Sequence, residues 1–411
     1  MKILIVTNFY PPVNFGGYEI GCSQVAQGLQ RSGHTICVLT SRDGNDEYSK
    51  IENFIIERKF INSFRVDLGT YPKWQLYQRA LWQEYHNQTI FGNICHCFQP
   101  DIVYFWNLAH ITHLLYPICQ KYRIKFGIFT FDHSLMEQSL TPWGLICKYA
   151  HRSKFKQCLK TLMSFLMKSL GCYVEFKRAT PQFIHYPTDY LRSFHLARGI
   201  QSYNWIKITW GVDVKKFQFN LMSQVNSKIL YVGQISSHKG VHIAIETLAV
   251  LYHQYGRHDV TLTLAGKCLS EDYQDELREL IQQYDLGRNV QFLGFVDRDD
   301  LPNLYAKHSI LIFPSQWEEP MGITVLEAMA IGLVVVSSGR GGSAELTEHN
   351  VTGLIFEAGN AEDCASKIME LLNSPDLFQK LRVNARSNTE SIFNFENTLN
   401  HIESSLLQNF Q

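Results

Sequence analysis

The sequence predicts an α/β protein built from two doubly wound domains with parallel sheets. Three observations carry this. Short apolar runs alternate with helical stretches along the chain, the runs end in polar loops rich in glycine, and the whole alternation occurs twice. The length of 411 residues suits two or three domains, each with its own core. Alternation of this kind covers both faces of a parallel sheet with helices, and ligands then bind beyond the carboxyl ends of the strands.

The elements follow in order. An apolar run at 3–7 is the first strand, followed by the loop NFYPPVNFGGYE and a helix over about 18–30. Ser32-Gly33 stops that helix, and the next strand is 35–40. Further strands are expected at 102–105, 126–130 and 171–176. Gly211-Val212-Asp213 precedes a second series with strands at 229–232, 260–265, 290–293, 309–313 and 333–337. The expected domains are therefore 1–213 and 214–390, and the tail 391–411 has the apolar spacing of a helix.

Composition bounds the function. Hydrophobic residues make up 45% and charged residues 18%, ordinary for a globular α/β chain. Lys+Arg and Asp+Glu number 38 each, so no global field favours nucleic acid. Ten cysteines are scattered, and the one tight cluster, Cys95-His96-Cys97, lacks zinc-ligand spacing. Reduced, mostly buried thiols in a cytoplasmic protein are expected, and no metal or cofactor site. No run approaches the ~18 apolar residues of a membrane span. The apolar start, broken at Pro11-Pro12, reads as a first strand and not a signal peptide.

The most informative stretch is SILIFPSQWEEPMGITVLEAMAIG, residues 309–332. A strand runs into a loop bearing Glu318 and Glu319, and Pro320 and Gly322 open an amphipathic helix carrying Glu327. A helix start offers unpaired backbone N–H groups and the positive end of a dipole, which suits an anionic or hydroxyl-rich ligand. Acids there point to sugar hydroxyls held beside a phosphate. In 228–251 a strand ends at Gly233 and Lys239-Gly240 opens a helix with apolar positions 241, 244, 245, 248 and 251/252. A lysine at a helix start opposes the dipole, and an anion bound there would explain it. Gly16-Gly17 lets the first loop approach a ligand closely.

Together these motifs resemble the retaining nucleotide-sugar glycosyltransferases of family 4, over nearly the whole chain. That resemblance implies the GT-B fold, two Rossmann-like domains facing across a cleft, with the last helix crossing back onto the first domain. It implies that Glu319 holds hydroxyls of the donor sugar and Glu327 the ribose. Backbone N–H groups around Met321, Gly322 and Ile323 would lie near the sugar and phosphates. Lys239 would meet the diphosphate beside Gly233, with Gly16 and Gly17 on its other side. The family usually has an arginine directly after the glycine that is Gly233 here, and this chain has Gln234. Glutamine can bond a phosphate oxygen without neutralising it, so Arg340 or His238 is left to compensate. The family's strand-end histidine, commonly in His-Asp, corresponds to Asp132-His133, and either residue could face the sugar. Gly341-Gly342 with Glu345 looks like the segment lining the nucleotide side, and Asn107 is a further loop candidate.

The implied activity is transfer from a nucleotide-sugar to an acceptor hydroxyl of a glycan or lipid-linked sugar, in polysaccharide or glycoconjugate synthesis. A GT-B-like binding subunit without turnover is the alternative, favoured only by Gln234. A dinucleotide oxidoreductase would need G-x-G-x-x-G directly after a strand, and the sequence lacks it. Residues 138–174 contain no acid but include Lys148, Arg152, Lys154, Lys156, Lys160 and Lys168. On a helical wheel Phe155, Cys158, Leu159, Leu162, Met163, Leu166 and Leu170 share one side. Two readings stand for 152–170: peripheral contact with an anionic membrane, or a helix packed on the first domain with a solvated basic face.

Overall fold

The structure is a computed structural model that describes residues 1–13, 16–42, 49–51, 53–62, 73–133, 135, 154–172, 180–200, 203–220 and 225–410. It divides into two compact units. The first comprises Met1–Tyr186, Arg192–Ile208 and Leu399–Gln411, and the second Pro187–Leu191 and Thr209–Thr398.

Among the described residues, the first unit holds eight strands: β1 (Lys2–Val6), β2 (Thr35–Ser41), β3 (Ser49–Ile51), β4 (Phe54–Phe60), β5 (Ile102–Phe105), β6 (Lys125–Phe129), β7 (Phe183–Tyr186) and β8 (Trp205–Lys207). Their order is β3-β4-β2-β1-β5-β6-β7-β8, parallel except for the β3–β4 pair. The central strands β1 and β5 read KILIV and IVYF and are buried on both faces, as a helix-covered parallel sheet requires. Residues 399–410 close over this unit at the end of the helix Phe395–Phe410. Glu403 meets His34 at 2.9 Å, and Ser405 joins the buried Tyr104–His185 hydrogen bond. Gly28 makes room for this helix, since a Cβ there would lie 2.5 Å from Leu399.

The second unit holds β9 (Lys228–Val232), β10 (Thr261–Ala265), β11 (Val290–Gly294), β12 (Ile310–Phe313), β13 (Val334–Ser337) and β14 (Gly353–Ile355). All its pairs are parallel, in the order β11-β10-β9-β12-β13-β14. The strand order reverses between β9 and β12, which opens a crevice beyond their carboxyl ends. The helix Val241–His253 buries Val241, Ala244, Ile245, Leu248 and Leu251, the positions its periodicity named.

Every expected strand on described residues is present to within a residue or two at each end, and both units are doubly wound α/β sheets. The strand expected at 171–176 falls mostly outside the described residues, and Gly171 and Cys172 belong to no strand. Sequence reading missed β3, β4, β7, β8 and β14. Among these β4 and β8 are half-exposed, while β7 carries His185 in an otherwise apolar run.

Candidate active site

In the second unit, three adjacent strands deliver the charged residues. The loop after β9 brings Lys239, the loop after β12 brings Glu318 and Glu319, and the loop after β13 brings Arg340. Backbone contacts lock these loops together. The His238 carbonyl accepts the N–H groups of Gln316 and Trp317 at 2.9 and 3.0 Å. Glu319 forms a β-bridge with Gly341, and the Gly342 N–H donates to the Glu319 carbonyl. Such closeness needs glycine: a Cβ on Gly342 would lie 2.2 Å from the Pro320 carbonyl oxygen.

Lys239 ends a single 3₁₀ turn, Ser237–Lys239, one residue before Gly240. Its Nζ donates to both carboxylate oxygens of Glu319, at 2.7 and 2.9 Å. Ser315 Oγ donates to the same carboxylate at 2.6 Å, and Glu319 is only 3% exposed. The acid read as a sugar ligand is therefore held in place by a cation and a hydroxyl. Ser315 was not singled out in the sequence, although a hydroxyl four residues before Glu319 was visible there.

Met321 and Gly322 follow, and the helix Ile323–Ile331 starts at Ile323. Among the described residues no protein acceptor meets the N–H groups of Met321, Gly322 and Ile323, so this helix start keeps the donors that an anion would use. The expectation of an amphipathic helix is corrected: every residue from Val325 to Ile331 is buried, including Glu327 at 1% exposure. Tyr305 donates its hydroxyl to Glu327 Oε2 at 3.0 Å. Arg298 Nη2 stands 3.3 Å from Oε1, close enough for an ion pair but without hydrogen-bond geometry, so Oε1 keeps an unused acceptor. Burial pushes the Glu327 carboxyl up, with Arg298 and the Tyr305 bond opposing it. Nothing in the spacing of Arg298 or Tyr305 announced this partnership.

Gly233 has φ 156°, and its carbonyl oxygen would lie 1.7 Å from a Cβ on Gly266, so the chain packs closely just past β9. Gln234 is exposed, and its carbonyl accepts the Tyr231 hydroxyl at 2.7 Å. Of the two groups left to compensate for the missing arginine, His238 has its pKa lowered by burial and by the Lys239 charge. A histidine shifted that way is neutral at pH 7. The Glu345 carboxylate accepts the N–H of Tyr190 at 2.8 Å.

In the first unit, Gly16 and Gly17 begin the helix Gly17–Arg31 after β1, and Glu19 accepts the Gly16 N–H at 3.0 Å. Tyr18 donates its hydroxyl to the Phe129 carbonyl at 2.6 Å and packs on Phe131, which brings this helix start to the end of β6. Asp132 and His133 sit there. The Asp132 carbonyl accepts from His195 Nε2 at 3.1 Å and from Thr130 Oγ1 at 3.2 Å, while the His133 ring packs on Phe194. Burial lowers the His195 pKa to about 4, so this missed residue is a neutral donor that fixes the loop. Asn107 uses its side chain locally, accepting the Ala109 N–H at 2.9 Å.

The helix Lys154–Ser169 departs from expectation in which face it buries. Met163 and Met167 pack with Leu114 and Cys172, while Leu162, Phe165, Leu166 and Leu170 are each more than half exposed. The seam is thus the i, i+4 methionine pair, and most of the predicted apolar stripe faces outward. Lys148 and Arg152 lie outside the described residues, as do the side chains of Lys154, Lys156 and Lys160. Among the described residues no group of three His, Cys, Asp or Glu could hold a metal ion. No helix of the described residues is long and apolar enough to cross a membrane. A cavity of about 420 Å³ beside Cys95, His96 and Phe410 opens at the amino ends of β1 and β6, the opposite end of that sheet from Gly17 and Asp132.

The family model of the glycosyl transferases group 1 matches residues 214–389. An uncharacterised glycosyltransferase of Methanocaldococcus jannaschii is 27% identical over 97% of this chain and 95% of its own length. The sucrose-phosphate synthase of Thermosynechococcus elongatus superposes with a TM-score of 0.72 at 19% identity, covering 100% of this chain and 99% of that one. HepE of Anabaena, solved in complex with UDP, gives 0.71 at 20% identity, covering 99% and 100%. At those identities the structural likeness establishes the two-domain GT-B fold alone.

Proposed function

We propose that this chain, a glycosyltransferase whose second unit belongs to the glycosyl transferases group 1, uses a nucleotide-sugar donor and retains configuration at the anomeric carbon. The observation that carries the reading is the Lys239–Glu319 pair, set in the strand-order crevice beside a helix start with unused N–H donors. The diphosphate takes Lys239 and the helix start, Glu319 then holds sugar hydroxyls, and Glu327 offers Oε1 to the ribose. As the bond from the anomeric carbon to the diphosphate oxygen breaks, Lys239 and the helix dipole stabilise the leaving charge. The acceptor oxygen bonds to the anomeric carbon on the face the diphosphate leaves, and its proton passes to the departing phosphate. That course needs no protein nucleophile. Gly16, Gly17, Asp132 and His133 are assigned to the acceptor-bearing unit, and the acceptor is a glycan or lipid-linked sugar in polysaccharide or glycoconjugate synthesis.

Thermal shift with UDP-, GDP- and ADP-sugars tests the donor, since a ligand of the native state stabilises it by mass action. One donor is expected to raise Tm and to be hydrolysed slowly to free sugar of unchanged anomeric form. Stabilisation without any hydrolysis or transfer would support a binding subunit. No stabilisation by any of them would remove the donor reading.

The helix Lys154–Ser169 supports peripheral contact with an anionic membrane. Its outward Leu162, Phe165 and Leu166, with Leu170 just past its end, lie in a segment, 138–174, that has six basic residues and no acid. An apolar face in a segment rich in lysine suits the headgroup boundary, where each lysine adds about 1 kcal/mol. Wild type is expected to co-sediment with phosphatidylglycerol vesicles and not with phosphatidylcholine. Phe165→Ser with Leu166→Ser, or loss of Lys154, Lys156 and Lys160 together, should abolish that binding. Negligible binding by wild type would leave a plain helix of the first unit and a soluble acceptor.

A further inference from the structure

We infer that Arg340 is a second diphosphate-binding cation, and that ligand binding exchanges two internal ion pairs for two phosphate contacts. The inference rests on the donor reading above and adds a residue to it. Glu318 and Glu319 are consecutive, yet each pairs with a cation from a different flanking loop: Glu319 with Lys239 after β9, Glu318 with Arg340 after β13. The Glu319–Gly341 bridge fixes the Arg340 backbone beside this loop, and Ser343 Oγ holds the Arg340 carbonyl at 2.7 Å. The four charges cancel, so the cluster is neutral.

The guanidinium is incompletely used. Arg340 Nη2 donates to Glu318 at 2.5 Å, but its Nε is buried and has no hydrogen-bond partner. A phosphate presents oxygens that Nε and an Nη can take together, which a lysine cannot match. A diphosphate brings at least two negative charges, and Lys239 answers one. Glu318, about half exposed, can return to water when Arg340 leaves it. Glu319 is buried and cannot, so its freed oxygens need the sugar hydroxyls, while Ser315 keeps its orientation. One exchange thus empties Arg340 and Lys239 for phosphate and frees Glu319 for sugar.

The two members of the Glu318–Arg340 pair should then act with opposite sign. Calorimetric titration with UDP, GDP and ADP is run on wild type, Lys239→Gln, Arg340→Gln, Arg340→Lys and Glu318→Gln, at low and high salt. For the nucleotide that binds wild type, Arg340→Gln should weaken affinity tenfold or more and flatten its salt dependence. Arg340→Lys should fall between, and Glu318→Gln should tighten binding severalfold by freeing the guanidinium. Thermal unfolding of each variant separates a folding defect from a binding one. If Lys239→Gln weakens binding while Arg340→Gln does not, the inference fails and the donor reading stands. Weakening by both Arg340→Gln and Glu318→Gln would make the pair a scaffold and overturn the inference. If none of the three nucleotides binds wild type, or Lys239→Gln changes nothing, the donor reading fails and the inference falls with it.

Discussion

Glu319→Gln is expected to lower kcat by about 10²–10³ with a smaller change in donor affinity, the range seen when one preorganised transition-state contact is lost. Its carboxylate already has a fixed direction, set by Lys239 at 2.7 and 2.9 Å and by Ser315 at 2.6 Å. A contact to the reacting sugar can strengthen as charge develops at the anomeric carbon, and only such contacts raise kcat. Glu327→Gln should behave differently. A ribose contact is made equally in ground and transition states, so its loss raises the donor Kd by roughly tenfold to a hundredfold, about 1.5–3 kcal/mol, and leaves kcat nearly unchanged. The buried Oε1 of Glu327 with no hydrogen bond is the atom that predicts this. Single-turnover kinetics with the donor found by thermal shift would separate the two effects. Wild-type constants in both variants would sink the assignment of this loop.

Much of this site was legible in the sequence because its parts are local. The strand, the acid loop and the helix start all fall within 309–332, and glycine with lysine at 239–240 marks a second loop of the same kind. What joins them was not legible. Lys239 and Glu319 are 80 residues apart, and their ion pair follows from β9 and β12 being neighbours, which only the strand order fixes. Arg340 could be named as a substitute for the arginine that the resembled family carries at Gln234, but not separated from His238. The separation needed the contact to Glu318 and the surroundings of His238, where desolvation and the Lys239 charge lower its pKa. The burial of Glu327 was not legible, because its helix read as amphipathic. The Tyr305 hydroxyl and the Arg298 guanidinium, both distant in sequence, allow that acid to be buried. The helix Lys154–Ser169 was misjudged in the other sense. Its periodicity named an apolar side but could not tell which of those residues the fold would bury.

The largest effect on stability is expected at Gly240. Its φ of +71° lies in the left-handed region, and a Cβ there would sit 1.9 Å from the Pro314 carbonyl oxygen. The obstacle is backbone at the end of β12, bound in place by the contacts of His238 to Gln316 and Trp317, so it cannot rotate aside as a side chain would. Left-handed backbone costs a non-glycine residue about 1–2 kcal/mol, and overpacking about 1–3 kcal/mol more. Gly240→Ala should therefore destabilise the second unit by roughly 2–5 kcal/mol, seen as a lowered Tm, and weaken donor binding because Lys239 is the preceding residue. Gly256 supplies the control. It has φ +62° and nothing within 4 Å of a Cβ, so Gly256→Ala carries the backbone strain without the clash. That variant should lose only about 1–2 kcal/mol and keep wild-type donor affinity. Equal Tm values for the two variants would mean that the loops after β9 and β12 are not packed as tightly as the Gly240–Pro314 approach requires.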